Sequence, residues 1–172
     1  MNNMIFNLAF YYHVPIISKN GNLFCPGYLG VFIDALAKEV DELVLLMHER
    51  ETKQSSDYML KQKNIRFVSL GKKHTALRRV LFSESILADS LNQIKHCDTL
   101  LVRAPSPLAP FFKKHLKATK LAYLLVGDYQ EVAKTIKLNS LRSLLVKSFL
   151  LVTSNLLAVS YTHLTLPTKR IV

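Results

Sequence analysis

Five short apolar runs, each followed by a segment of different character, constrain this chain more than any other feature. The runs are Met4 to Tyr12, Leu43 to Met47, Ile65 to Leu70, Thr99 to Val102 and Leu121 to Val126. Each is of strand length, and the first is apolar with almost no interruption, as a strand buried on both faces requires. Between them lie stripes of helical period. Leu29, Phe32, Ile33, Leu36, Ala37 and Val40 recur at three and four residues, leaving Asp34, Lys38 and Glu39 off the stripe. Phe82, Ile86, Leu87, Leu91 and Ile94 form a second stripe, and Leu108, Phe111, Phe112 and Leu116 a third. A short helix is expected around Asp57 to Gln62. A last one, apolar on most of its circumference, is expected from Ser140 to Leu157. Strands alternating with helices predict an α/β fold, a Rossmann-like, doubly wound and mostly parallel sheet with right-handed crossovers.

The amount of apolar material agrees with a packed domain. Of the 172 residues, 49% are hydrophobic and 20% charged, enough to offset the cost of ordering one domain. Cys25 and Cys97 are isolated, without a CxxC partner or a nearby His at metal-ligand spacing, so a reducing, cytoplasmic compartment is expected. The apolar start has no Lys or Arg before it and no small-residue cleavage site after it, and it reads as a buried strand rather than a signal peptide. The stretch Ser148 to Val159 is too short to span a bilayer.

The net charge of +11 is large for this length. It implies attraction to an anion: a phosphate-bearing substrate, an anionic membrane surface or nucleic acid. Lys113, Lys114, Lys117 and Lys120 have a structural account, since they follow a helix surface towards its C-terminus and favour the helix dipole. Nucleic acid is disfavoured because no basic, aromatic-studded strand face or named motif is present.

In a doubly wound sheet, ligands meet the loops at the carboxyl ends of the strands. Those loops are Pro15 to Tyr28, His48 to Glu51, Gly71 to His74, Arg103 to Ser106 and Gly127 to Glu131. In the first, Gly27, Tyr28 and Gly30 open a helix; glycine there admits a ligand, and the helix start offers free N–H groups to an anion. A plain tight turn explains the same residues. Neither a GxGxxG fingerprint nor a P-loop is formed. Arg103 follows an apolar strand directly, where its planar fork could clamp a carboxylate or phosphate. Ser106, before Pro107, either caps a helix or shares its hydroxyl with a ligand. Asp128, followed by Tyr129, could accept a proton or a sugar hydroxyl, or simply close a turn. Glu131 and the pair His48-Glu49 are weaker candidates. No Ser–His–Asp or Cys–His arrangement can be placed by spacing, and no metal site is expected from the scattered histidines.

The order of these pieces resembles the N-terminal domain of retaining GT-B glycosyltransferases of the family 4 type. The resemblance runs through Gly27-Tyr28-Leu29-Gly30 into Phe32-Ile33-Asp34-Ala35-Leu36-Ala37, then Leu45-Leu46-Met47-His48-Glu49, Leu101-Val102-Arg103-Ala104-Pro105-Ser106-Pro107 and Leu125-Val126-Gly127-Asp128-Tyr129. It spans residues 1–157 and rests on the order of four weak motifs. It implies two Rossmann-like domains around a cleft, the first mainly holding the acceptor and the second mainly a nucleotide-sugar. Catalysis in the family needs no metal, and a second domain supplies the groups that bind the donor. Where the family often has a histidine in the loop after the fourth or fifth strand, this chain has Arg103 and Asp128, which become the candidate catalytic residues. Gly27, Tyr28, Gly30, Ser106, Tyr129 and His48 become the candidate substrate-binding residues. The implied acceptor is a sugar or a lipid-linked sugar in cell-envelope or polysaccharide synthesis, with peripheral contact to the inner face of an anionic membrane. The alternative is a non-catalytic Rossmann-like module that binds an anionic ligand or membrane.

Residues 158–172 break the preceding pattern. A helical face gives way to a Thr-rich string, and Val159 to Thr168 is similar to the translation of a transposase adapter used in preparing sequencing libraries. The natural frame is therefore expected to end near Leu157, and the basic character survives without Lys169 and Arg170. Holding donor and acceptor together is worth on the order of 7–11 kcal/mol of a barrier. A domain with half the cleft is therefore expected to be inactive alone.

Overall fold

The strand that is apolar without interruption is the one the sheet closes around. A computed structural model describes residues 5–51, 57–73, 75, 82–104, 106, 108–116, 119–125, 134–135 and 147–148. In chain order the elements are β1 (Asn7–Tyr11), β2 (Ile17–Lys19), β3 (Asn22–Pro26), α1 (Gly27–Ala37), β4 (Glu42–Glu49), β5 (Asp57–Met59), β6 (Ile65–Lys72), α2 (Ser83–Asn92), β7 (Thr99–Ala104), α3 (Ala109–His115) and β8 (Lys120–Leu125). They build the compact unit Met1–Leu124, with β8 ending at its boundary.

The main sheet has the order β6-β4-β1-β7-β8. β1 pairs in parallel with β4 on one side and β7 on the other, and β4 pairs in parallel with β6. The mostly parallel, Rossmann-like sheet expected from the sequence is thus present. β1 sits at its centre because its side chains must be buried on both faces. Ala9 and Tyr11 join Val44, Leu46, Leu100 and Val102 on the face covered by Leu87 and Leu91 of α2 and Phe112 of α3. Leu8 and Phe10 join Leu43, Leu45 and Met47 on the face covered by Leu29, Ile33 and Ala37 of α1. Each fully buried side chain of this size contributes about 1.5–3 kcal/mol of transfer free energy.

The amino end of the sheet is pinned by acids. Asp41 accepts the Phe6 N–H at 2.6 Å, and Asp98 accepts the Asn7 N–H at 2.9 Å. Glu42 accepts from Arg66 Nε at 2.9 Å and contacts His96 Nε2 at 2.7 Å, while Arg66 Nη2 donates to the Gln93 carbonyl. Partial burial raises the Glu42 carboxyl, but the bonds and charges of His96 and Arg66 outweigh it and hold it below the usual carboxylate range.

Several expectations need correction. The stretch read as a loop from Pro15 to Gly27 contains a hairpin, β2 and β3, closed by Asn20 (φ 52°) and Gly21 (φ 75°). Positive φ at both central residues matches the right-handed twist of the flanking strands, which is why Asn-Gly occupies the turn. The short helix expected around Asp57 to Gln62 is instead β5, paired antiparallel with β3. Three residues are too few for a helical period to be read, and pairing with an open strand edge decides the outcome. The crossover from β4 to β6 therefore carries a strand where a helix was expected, and a small antiparallel sheet β2-β3-β5 accompanies the parallel one. Asp34, expected off the apolar stripe of α1, is buried. Its carboxylate accepts the Tyr58 hydroxyl at 2.8 Å and the Lys61 and Gln62 N–H groups at 3.0 and 3.3 Å. Phe82, expected on a buried stripe, lies exposed just before α2. Apart from Lys147 and Ser148, the expected last helix lies outside the described residues, and so does the tail 158–172.

Candidate functional site

The strand order fixes where a ligand site belongs. Starting from β1, the chain adds β4 and then β6 on one side, and later β7 and β8 on the other. The order therefore reverses between β1 and β7, and the crevice at the carboxyl ends of these two strands is the expected binding position.

β1 delivers Tyr12 and His13 to this point. After Tyr11 the chain leaves the sheet, and it returns at Ile16, whose N–H donates to the His48 carbonyl at 2.9 Å and whose carbonyl accepts the Arg50 N–H at 2.9 Å. Tyr12 is buried, packed against Phe10 with ring centroids 5.7 Å apart and stacked on His13 at 5.1 Å. β7 delivers Arg103 from the other side. Its guanidinium lies 5.0 Å from the centroid of the Tyr12 ring, a cation on an aromatic face. Its Nη1 donates to His13 Nδ1 at 2.9 Å. Arginine can only donate, so Nδ1 is the acceptor and the neutral His13 ring carries its proton on Nε2.

Arg103 is half-buried, its Nε–H is buried without a hydrogen-bond partner, and among the described residues no carboxylate pairs with it. An orphaned buried donor costs about 1–3 kcal/mol, so the arrangement is held at some expense. Arg50 and Arg66, by contrast, pair with Asp57 and Glu42.

α1 packs against the same side, with Leu29 in the buried cluster that holds Tyr12. It begins at Gly27 behind Pro26, and no side chain caps its first turn. Tyr28 is 66% exposed. Burial of part of the phenol and the neighbouring Tyr12 push its pKa up, against the opposing charge of Arg103. Its hydroxyl remains a donor at neutral pH.

Of the residues singled out from the sequence, Arg103 lies at this crevice, and Gly27 and Tyr28 open α1. Ser106 is fully buried. Its hydroxyl donates to the Tyr11 hydroxyl at 2.9 Å and accepts the Leu108 N–H at 3.2 Å, so it ties the start of the α3 segment to β1. Gly30 is buried under the Tyr58 ring, and a Cβ at that position would run into it. His48 is buried on β4, with Nδ1 3.3 Å from the Gly71 carbonyl of β6, on the side of β1 away from Arg103. Asp128 and Tyr129, together with Glu131, lie outside the described residues.

His13 and Tyr12 are the members that sequence reasoning missed. In the sequence Tyr12 ends an apolar run and Pro15 opens a loop, so His13 falls between the two patterns. The available signal was positional: the residues just past the first strand of such a sheet face its crevice.

Elsewhere, a cavity of about 330 Å³ between α2 and α3 is lined by Leu87, Leu91, Lys95 and His115, and its carboxylate, Glu84, is taken up by Lys114. Among the described residues, no three His, Cys, Asp or Glu side chains gather where a metal ion could be held, and no helix is long and apolar enough to cross a membrane. Among known proteins, no family model, no curated protein and no solved structure matches this chain.

Proposed function

We propose that the chain is the acceptor-side domain of a GT-B glycosyltransferase, which transfers a sugar from a nucleotide-sugar to an acceptor in cell-envelope or polysaccharide synthesis. The observation that carries this reading is the reversal of strand order between β1 and β7, with Arg103, His13 and Tyr12 collected at that point. Such a rim suits an acceptor: aromatic surface for a sugar ring, hydroxyl and guanidinium donors for its oxygens. The nucleotide-sugar is held mainly by a second Rossmann-like domain of the same enzyme, and Arg103 and Asp128 are the catalytic candidates that the resemblance implies. The acceptor is a sugar or a lipid-linked sugar, and the enzyme works in the cytoplasm, against the inner face of an anionic membrane.

The reading predicts that this chain alone transfers nothing, because one lobe cannot fix donor and acceptor at attack distance. The product of the complete reading frame should transfer. A panel of radiolabelled nucleotide-sugars offered with lipid-linked and soluble acceptors measures both. Transfer by the isolated chain would overturn the division of labour, and no transfer by the complete product across the panel would overturn the transferase reading. A second reading, a non-catalytic binding module, is favoured by one fact: the Arg103, His13 and Tyr12 cluster is already assembled within this chain. A natural stop codon near Leu157 in genomic DNA would support it.

A further inference from the structure

We infer that the Arg103 rim is a binding site for an oxyanion, the phosphate or carboxylate group of the ligand that enters the crevice. The inference takes its site from the acceptor reading and adds the charge of the group that is held. Three observations converge. Arg50 and Arg66 each have a carboxylate partner, whereas Arg103 is flanked by a neutral imidazole nitrogen and an aromatic face. A desolvated cation normally keeps a counter-charge, and here none comes from the described residues. The contacts also orient the guanidinium. Nη1 is held by His13 and the guanidinium carbon lies 5.0 Å from the Tyr12 centroid; the Nε–H is buried without a hydrogen-bond partner, as is that of Arg50. Guanidinium groups bind oxyanions through paired N–H groups in one plane, and this one is held ready. Finally, Tyr28, largely exposed in the first turn of α1, precedes Leu29, which packs in the same cluster as Tyr12, and it offers a second hydroxyl donor on that side. His13 acts here as a positioning residue through Arg103.

The shared chemistry fits a free phosphate or carboxylate as well as a lipid phosphate. The test therefore titrates the folded chain with inorganic phosphate, acetate, a soluble short-chain prenyl phosphate and the corresponding prenyl alcohol. Binding is followed by calorimetry and by the ring resonances of His13 and Tyr28. The anions should shift both rings and the alcohol should not. A prenyl phosphate that binds much more tightly than inorganic phosphate identifies the lipid as source; equal affinity identifies the free anion. Arg103→Gln should weaken phosphate binding about tenfold or more, Arg103→Lys should restore only part, and Arg66→Gln should leave it unchanged. Equal affinity in Arg103→Gln refutes the site. Should that variant fail to fold, the wild-type resonances still decide: if phosphate moves neither ring, the inference falls. Phosphate binding with no sugar transfer by the complete product sinks the transferase reading alone. Undiminished transfer to an acceptor by complete product carrying Arg103→Gln sinks the oxyanion site alone.

Discussion

At the scale of single residues, the densest set of constraints lies between α1 and β5. Gly30 faces the Tyr58 ring, Asp34 accepts the Tyr58 hydroxyl and two backbone N–H groups, and Lys61 Nζ sits 5.2 Å from the centroid of the same ring. Gly30→Ala should destabilise the fold by about 1–3 kcal/mol through overpacking. Truncating Tyr58 to Ala should remove most of that increment, which a double-mutant cycle by urea unfolding measures. Asp34→Asn leaves a single acceptor oxygen for three donors and should cost a similar amount, about 1–3 kcal/mol. The two cysteines make the opposite kind of prediction. Burial, then the charges of Asp57 and Asp34, push the Cys25 thiol up to about 12, and burial with Glu42 pushes Cys97 up to about 11. Thiolate is the reactive form, so neither should react with a thiol reagent at neutral pH until the protein is unfolded. Rapid labelling of the native chain would contradict the burial described.

At the scale of elements, the chain spells out its helices better than its short strands. The apolar stripe of α1 is legible because eleven residues give three turns of repeat. The structure begins it at Gly27 and stops it at Ala37, short of Val40. The stop is set from far along the chain, since Asn64 Nδ2 donates to the carbonyls of Ala37 and Val40 at 2.7 and 2.9 Å, which no local pattern announces. Asn64→Ala should cost about 1 kcal/mol as helix-end carbonyls lose their donor, seen as a lower midpoint in urea with an unchanged slope. β5 was hidden for a related reason. Its three residues are a strand only because β3 offers an edge, and β3 in turn depends on the two-residue turn at Asn20-Gly21. The position of Arg103 could be read because it follows an apolar run directly. His13 could not, because its role depends on β1 and β7 being neighbours, a fact of sheet order rather than of local sequence.

At the scale of the whole molecule, the parallel sheet is fastened at its amino end by carboxylates, and this sets an acid limit. Glu42 has its pKa depressed in the folded state, so its contribution is fully present above the unfolded carboxylate value and is lost as pH falls through the folded one. Stability should therefore decline with acidification below the usual carboxylate range. Glu42→Gln should start lower at neutral pH and lose less over the same interval, a comparison that unfolding curves at stepped pH provide. Identical pH profiles for the two proteins would show that the bonds from His96 and Arg66 do not persist in solution.

The four residues from Tyr12 to Pro15 are staked at both ends, by Tyr11 in the register of β1 and by the Ile16 amide and carbonyl on the extension of β4. A span held this way has no slack. Insertions there would have to unzip one neighbour or the other, so diversity among descendants of this chain should arrive in that span as exchanges of side chains, with the count of residues kept at four.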